Sequence, residues 1–90
     1  MALFTFVLEF DGGTYISQSS ARSAGRAVAQ YASDLVRNEA ISTLPIRRTL
    51  SQDLKAAHPV AIEGVRNVWC CSSSVSKKFA LLNIVATVGQ

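Results

Sequence analysis

Charged side chains are scarce in this 90-residue chain. They make up 17% of its residues, below the roughly 25% typical of soluble domains. Hydrophobic residues account for 49%, which excludes an intrinsically disordered chain, because such chains are rich in charge and poor in apolar residues. A chain of this length has room for one core, so we expect a single domain over residues 1–90. Little charge on an apolar domain suggests that extra surface is buried between subunits.

Cysteine and histidine are too few for most metal and redox sites. The two cysteines, Cys70 and Cys71, are adjacent. Their Cα atoms are therefore about 3.8 Å apart, below the usual disulfide span of about 4.4–6.8 Å. With His58 as the single histidine, they do not complete a four-ligand zinc site. We predict strand thiols, no metal ion and no cofactor.

Long apolar runs and a secretion signal are also missing. No run approaches the ~20 residues that a membrane span needs. The N-terminal segment lacks the basic start and the small-residue cleavage site of a signal peptide. These absences predict a cytoplasmic protein with reduced thiols and no membrane contact.

The sequence contains no recognisable catalytic constellation. His58 has no triad spacing to a nucleophile and an acid. Gly12-Gly13 is separated from the next helix by a strand, so it does not form a phosphate cradle, and no nucleotide-binding glycine motif occurs. We therefore expect no catalytic residues and predict that the protein is not an enzyme, with an enzyme built around His58 or Cys70 kept as a third alternative.

Apolar residues alternate along residues 2–10, which predicts a strand. Its inner face bears Phe4, Phe6, Leu8 and Phe10. Asp11-Gly12-Gly13 is a hairpin signal, and residues 14–18 form the return strand. A two-residue loop would place Tyr15 on the inner face, whereas a three-residue loop would place Ile16 there. We favour the three-residue loop, because isoleucine gains more from burial and the tyrosine hydroxyl stays near water.

Two helices are expected in the middle of the chain. Residues 20–38 have the period of an amphipathic helix, with Ser19 or Ser20 as its cap. Residues 39–49 are expected to be irregular, because Pro45 disfavours helix at the residue before it. A capping box that begins at Thr49 predicts a short helix over residues 50–57.

Two further strands complete the predicted fold. We expect a strand over 65–71, a polar loop over 72–78 and a strand over 79–88. The last strand is apolar on both faces, which is typical of a central position. The order strand-strand-helix-short helix-strand-strand predicts an α+β fold with a four-stranded antiparallel sheet and both helices on one face.

One layer of helices leaves the other face of such a sheet open. We expect this open face to bear Leu3, Val7, Tyr15 and Val85, more apolar surface than a monomer usually leaves in water. Two-fold dimers are the commonest soluble oligomers. The sequence therefore predicts a non-enzymatic association module that forms a homodimer through its open sheet face.

An arginine stripe supports an alternative. Arg22, Arg26 and Arg37 lie on one side of the long predicted helix, and Arg47 and Arg48 extend the patch. Guanidinium groups match phosphate oxygens in geometry, and the net charge is +3. No aromatic ladder for stacking bases accompanies them. The alternative is a small nucleic-acid-binding or regulatory domain.

The hairpin also resembles known sequences. The run Phe10 to Gln18, followed by a helix with Ala24, Val28 and Leu35, resembles small uncharacterised bacterial proteins with a G-G-T-Y-x-x-Q strand. The likeness extends to Val68-Trp69-Cys70 and the apolar last strand, and it implies no known activity. The order of strand, Gly-Gly, strand and helix is similar in outline to HicB-type antitoxin domains, which implies a regulatory, antitoxin-like role.

Overall fold

The computed structural model describes residues 1–87. The elements, in chain order, are β1 (Ala2–Phe10), β2 (Gly13–Ala21), α1 (Ala24–Leu35), α2 (Leu44–Ala56), β3 (Val60–Ala61), β4 (Val68–Val75) and β5 (Lys78–Thr87). The strands form one antiparallel sheet in the order β2-β1-β5-β4-β3. The predicted α+β class and antiparallel sheet are confirmed, but the sheet has five strands rather than four.

The additional strand, β3, is an edge strand of two residues. Val60 pairs with Cys70 and Ala61 pairs with Trp69. Two residues are too few to show alternation, so periodicity does not reveal such a strand. At the centre of the sheet β5 lies between β1 and β4, as its apolar sequence predicts. The predicted last residue of that strand, Val88, lies outside the described residues.

The core lies between the inner face of the sheet and the two helices. Its side chains from β1 are the four predicted ones, each at most 3% exposed: Phe4, Phe6, Leu8 and Phe10. Tyr31 of α1 stacks on Phe6 with ring centroids 4.7 Å apart. The buried Ser51 hydroxyl of α2 donates to the Ala32 carbonyl of α1 at 2.6 Å. The helices are therefore fixed to each other as well as to one face of the sheet.

The turn between β1 and β2 corrects the predicted register. Phe10 pairs with Gly13, so the loop consists of Asp11 and Gly12 alone. Both have positive φ, 49° and 80°, as a type I′ turn requires. Tyr15 consequently lies on the helix side and Ile16 on the open face. The preference for a three-residue loop was wrong because the turn chemistry of Asp-Gly outweighs the gain from burying one isoleucine.

Both helices begin elsewhere than predicted. Strand β2 pairs with β1 as far as Ala21, so α1 is capped by Ser23, whose hydroxyl accepts the Arg26 N–H at 3.2 Å. Helix α2 begins at Leu44, six residues before its predicted start at residue 50. Pro45 lies in its first turn, where backbone N–H groups have no acceptor within the helix, so proline costs no helical hydrogen bond there. The segment expected to be irregular is therefore helical from residue 44.

Strand β4 begins and ends later than predicted. Asn67, with φ 62°, precedes it, and its serines pair with β5 instead of forming a long loop. The hairpin loop is reduced to Ser76-Lys77, whose φ values of 52° and 65° form a second type I′ turn. Serine-rich sequence resembles a loop, and this resemblance caused the error. Among residues 1–87 no helix has the length and apolarity to cross a membrane.

Candidate interaction surface

The face of the sheet opposite the helices is almost free of charge. Because paired residues share a face in an antiparallel sheet, the register places on it, from β1, Leu3, Thr5, Val7 and Glu9 and, from β5, Phe79, Leu81, Asn83, Val85 and Thr87. The flanking strands add Thr14, Ile16, Gln18, Ser20, Val60, Val68, Cys70, Ser72 and Ser74. Within the described part of the chain, Glu9 is the only charged residue that these strands present on this open face.

Large apolar side chains on the open face reach solvent. Ile16 is 68% exposed, and Phe79 and Val60 are each 63% exposed. Leu3 and Val85, two of the predicted interface residues, are each 38% exposed, while Val7 is half-buried opposite Asn83. Within residues 1–87 neither helix covers this face, since α1 and α2 both pack on the other side. The open face thus combines apolar side chains with uncharged polar groups such as the Gln18 amide, which donates to the Thr5 hydroxyl at 2.9 Å.

Tyr15 does not belong to the open face. It pairs with Leu8 on the helix side, and its hydroxyl end folds back over Gly13, where an added Cβ would lie 2.5 Å from the Tyr15 oxygen. The prediction that Tyr15 lies on the open face is therefore wrong, and its neighbour Ile16 lies there instead. The pairing rule for a two-residue Asp-Gly loop contains the information that would have identified Ile16.

The adjacent cysteines point to opposite faces, as strand geometry predicts. Cys70 is half-buried on the open face, and Cys71 is buried in the core, and both are free thiols. Burial raises the pKa of the Cys71 thiol above its ordinary value, and the neighbouring Cys70 adds to the shift. Cys71 is therefore held as a neutral thiol, which is the form that behaves as a small apolar side chain.

Arg47 is a structural residue rather than part of an anion site. Its side chain is 7% exposed and contacts the segment 36–43, which connects α1 to α2. Nε donates to the Val36 carbonyl at 2.9 Å, and Nη1 donates to the carbonyls of Ser42 at 2.8 Å and Ile41 at 3.4 Å. The predicted five-arginine patch therefore loses this member, because its donors already bind the backbone after α1. The pattern of charges along the sequence does not by itself distinguish such a buried arginine from a solvated one.

The other four arginines of the predicted patch are exposed, but they differ in position and in charge pairing. Arg37 pairs with Asp34 at 2.5 Å, which offsets its charge locally. Arg22 follows the end of β2, Arg26 lies in the first turn of α1, and Arg48 lies on α2 next to the buried Arg47. No ion pair of these three occurs within residues 1–87. The nucleic-acid alternative therefore remains a prediction that depends mainly on Arg22 and Arg26.

His58 is exposed in the segment between α2 and β3. The acid nearest before it in sequence, Asp53, accepts a hydrogen bond from the Ser73 hydroxyl of β4 at 2.5 Å. This bond ties α2 to the sheet. The described residues contain no group of three or more histidine, cysteine or acidic side chains that could hold a metal ion.

Comparisons with known proteins assign no family and no function to the chain. The chain matches no family model, no curated protein and no solved structure. The resemblance to G-G-T-Y-x-x-Q proteins and to HicB-type antitoxin domains stays a prediction.

Proposed function

We propose that this chain is a non-enzymatic association module and that it forms a homodimer by packing two open faces against each other. The observation that supports the proposal is the charge content of the open face, where Glu9 stands alone among apolar and uncharged polar side chains. An interface core is typically depleted in charged residues. A surface with a single charged residue packs against a copy of itself with little like-charge repulsion.

The size of the open face sets the strength of this association. Four strands spaced ~4.8 Å apart and about nine residues long at ~3.3 Å per residue span roughly 600 Å². Two such faces would bury about 1,200 Å², the lower limit for a stable specific interface. Because binding also costs translational and side-chain entropy, we expect a dissociation constant in the micromolar range.

The position of Glu9 is compatible with a two-fold arrangement. Glu9 lies near one end of β1 and Leu3 near the other, six residues or roughly 20 Å away. A two-fold axis perpendicular to the strands carries the two Glu9 carboxylates to opposite ends of the interface. Each then meets the uncharged end of its partner, and the two like charges do not approach each other.

The test measures molar mass by light scattering between about 5 and 200 µM. The variants are Val7→Lys and Val85→Lys, which place a charge at the centre of the open face. Ala29→Lys is the matched control, because it introduces the same side chain on the exposed side of α1. Circular dichroism verifies that each variant retains its helices.

We expect the wild type and Ala29→Lys to pass from monomer to dimer over this range, with both face variants monomeric. The dimer constant should weaken by at least tenfold in either face variant, since a lysine buried without a partner is strongly unfavourable. A folded wild type that stays monomeric at 200 µM contradicts the proposal. So does a dimer that Val7→Lys and Val85→Lys leave unchanged.

A further inference from the structure

We infer that the free edge of β2, together with the groove beside it, is a binding site for an extended peptide that has one leucine-sized apolar side chain and an acidic residue about five positions away. The site would extend the sheet by one strand. It lies at the rim of the helix side and is separate from the open face.

The edge of β2 offers unpaired backbone groups in strand geometry. Since Gly13 pairs with Phe10 next to a two-residue loop, the odd-numbered residues of β2 exchange hydrogen bonds with β1. The N–H and C=O groups that point away from the sheet belong to Thr14, Ile16, Gln18 and Ser20. The strand from Gly13 to Ala21 contains no proline and no charged residue, which are the features that usually protect an edge from pairing. An extended backbone is therefore the ligand that complements this edge.

A groove of about 160 Å³ lies between this edge and α1. Phe6, Tyr31, Leu35 and Ile41 supply its apolar lining, Ser17 and Ser19 lie on its strand wall, and Asp34 and Asn38 add polar groups. Ser17 is on the helix side of β2, since it pairs with Phe6, yet it is exposed. A cavity of about 150 Å³ is large enough to hold a benzene ring. One leucine- or phenylalanine-sized side chain opposite Ser17 would thus fill the groove.

A second copy of the chain fits this groove poorly. Pairing two β2 edges in antiparallel fashion would bring Tyr15 and only small residues of the partner to the helix side, namely Gly13, Ser17, Ser19 and Ala21. The serines are too small to fill the groove, and Tyr15 is folded over its own Gly13. A peptide with a larger apolar residue satisfies both the edge and the groove.

Positive charge at the C-terminal end of β2 would fix the direction in which the peptide binds. Arg22 follows β2 directly, and Arg26 lies in the first turn of α1. Five residues separate Ser17 from Arg22, which is roughly 16 Å along a strand. An acidic side chain about five positions from the apolar anchor would therefore lie beside these guanidinium groups.

The probes are eleven-residue peptides of threonine and serine with blocked ends and a central leucine. One member of the set has alanine at the centre, and two have glutamate five residues before or after the leucine. A further member is N-methylated on alternate backbone nitrogens. Binding is followed by ¹H–¹⁵N NMR of the whole protein, with peptide up to ~5 mM.

The leucine peptide is expected to shift the amides of Thr14, Ile16, Gln18 and Ser20 and to bind at least about tenfold more tightly than the alanine peptide, because three additional carbons enter the groove. One of the two glutamate peptides should bind more tightly still, and the gain should disappear in Arg22→Ser or at high salt. The N-methylated peptide should not bind. Ser17→Leu, which fills the groove, should abolish the preference for leucine, whereas Ala29→Leu on the exposed side of α1 should retain it.

Three results would overturn the inference. The first is an absence of shifts on β2 at the highest peptide concentration. The second is equal binding of the leucine, alanine and N-methylated peptides. The third is a set of intermolecular NOEs between the β2 backbones of two copies in the absence of peptide, because it would identify a second copy as the occupant of the edge.

Discussion

Replacing Arg47 by methionine should destabilise the protein far more than the same replacement at Arg48. Arg47 donates to the carbonyls of Val36, Ser42 and Ile41, which belong to the chain that connects α1 to α2. Methionine has a similar length and fills most of the volume, so the main loss is three hydrogen bonds from a charged donor. Arg48 is exposed, adjacent in sequence and on the same helix, and is therefore the matched control.

The magnitude follows from the acceptors that lose their partner. The two short bonds, at 2.9 and 2.8 Å, end on partly buried carbonyls, and the longer one, at 3.4 Å, ends in a buried contact. Hydrogen bonds to charged groups contribute about 1.5–3 kcal/mol each, but water can replace part of this at partly buried acceptors. We expect a loss of about 3 kcal/mol for Arg47→Met and less than about 0.5 kcal/mol for Arg48→Met. A chain of this length has a free energy of unfolding of only about 5–13 kcal/mol.

Urea denaturation followed by circular dichroism measures the difference. The midpoint should fall sharply for Arg47→Met with little change in slope, and Arg47→Lys should lie between the two because one ammonium cannot reach all three carbonyls. Equal midpoints for Arg47→Met and Arg48→Met would refute the structural role of Arg47 and would favour its original assignment to the surface arginine patch.

Three other perturbations test separate parts of the structure. Lys77→Gly should raise the free energy of unfolding by about 1 kcal/mol, since Lys77 has φ 65° in a type I′ turn; unchanged thermal stability would contradict the turn assignment. Burial raises the pKa of Tyr31 to about 12, so the unfolded chain loses the phenolic proton at a lower pH than the folded chain. The free energy of unfolding should therefore fall as pH rises from about 10 to 12, by at most roughly 1 kcal/mol per pH unit. Tyr31→Phe should flatten this dependence in alkaline unfolding experiments, and an identical slope in both proteins would be inconsistent with a buried hydroxyl. Cys70 should react with a maleimide more slowly as protein concentration rises, because the proposed dimer covers it, whereas a constant rate in mass-spectrometric labelling would place it outside any interface.

Periodicity in the sequence was sufficient to predict the two layers of the fold. The alternation of phenylalanines in β1 and the amphipathic pattern of α1 identify the core, because burial imposes a period of two on a strand and of 3.6 on a helix. The continuous apolar sequence of β5 predicts its central position for the same reason. Leu3, Val7 and Val85 lie on the open face as expected, since strand alternation leaves no other face for them.

Local chemistry that competes with burial caused the errors. Tyr15 was assigned to the open face because its neighbour Ile16 was expected in the core, whereas the Asp-Gly turn determines the register. Residues 39–49 were expected to be irregular because Pro45 disfavours helix at the residue before it, yet Pro45 lies in the first turn of α2, where proline is favourable. The role of Arg47 depends on three carbonyls of the irregular segment before α2, and no pattern along the chain indicates that they meet at its side chain. The groove beside β2 likewise depends on where α1 ends relative to the edge, which only the packing determines.

The contact between two open faces can be observed directly in a sample that mixes ¹³C-labelled and unlabelled chains at about 200 µM. An isotope-filtered NOE experiment then reports only contacts between different copies. We expect intermolecular NOEs from the methyl groups of Val7, Leu81 and Val85, and none from the core methyl groups of Leu82 and Ile84. A dimeric sample whose intermolecular NOEs arise only from the β2 edge or from the helices, or a sample without any, would contradict association through the open face.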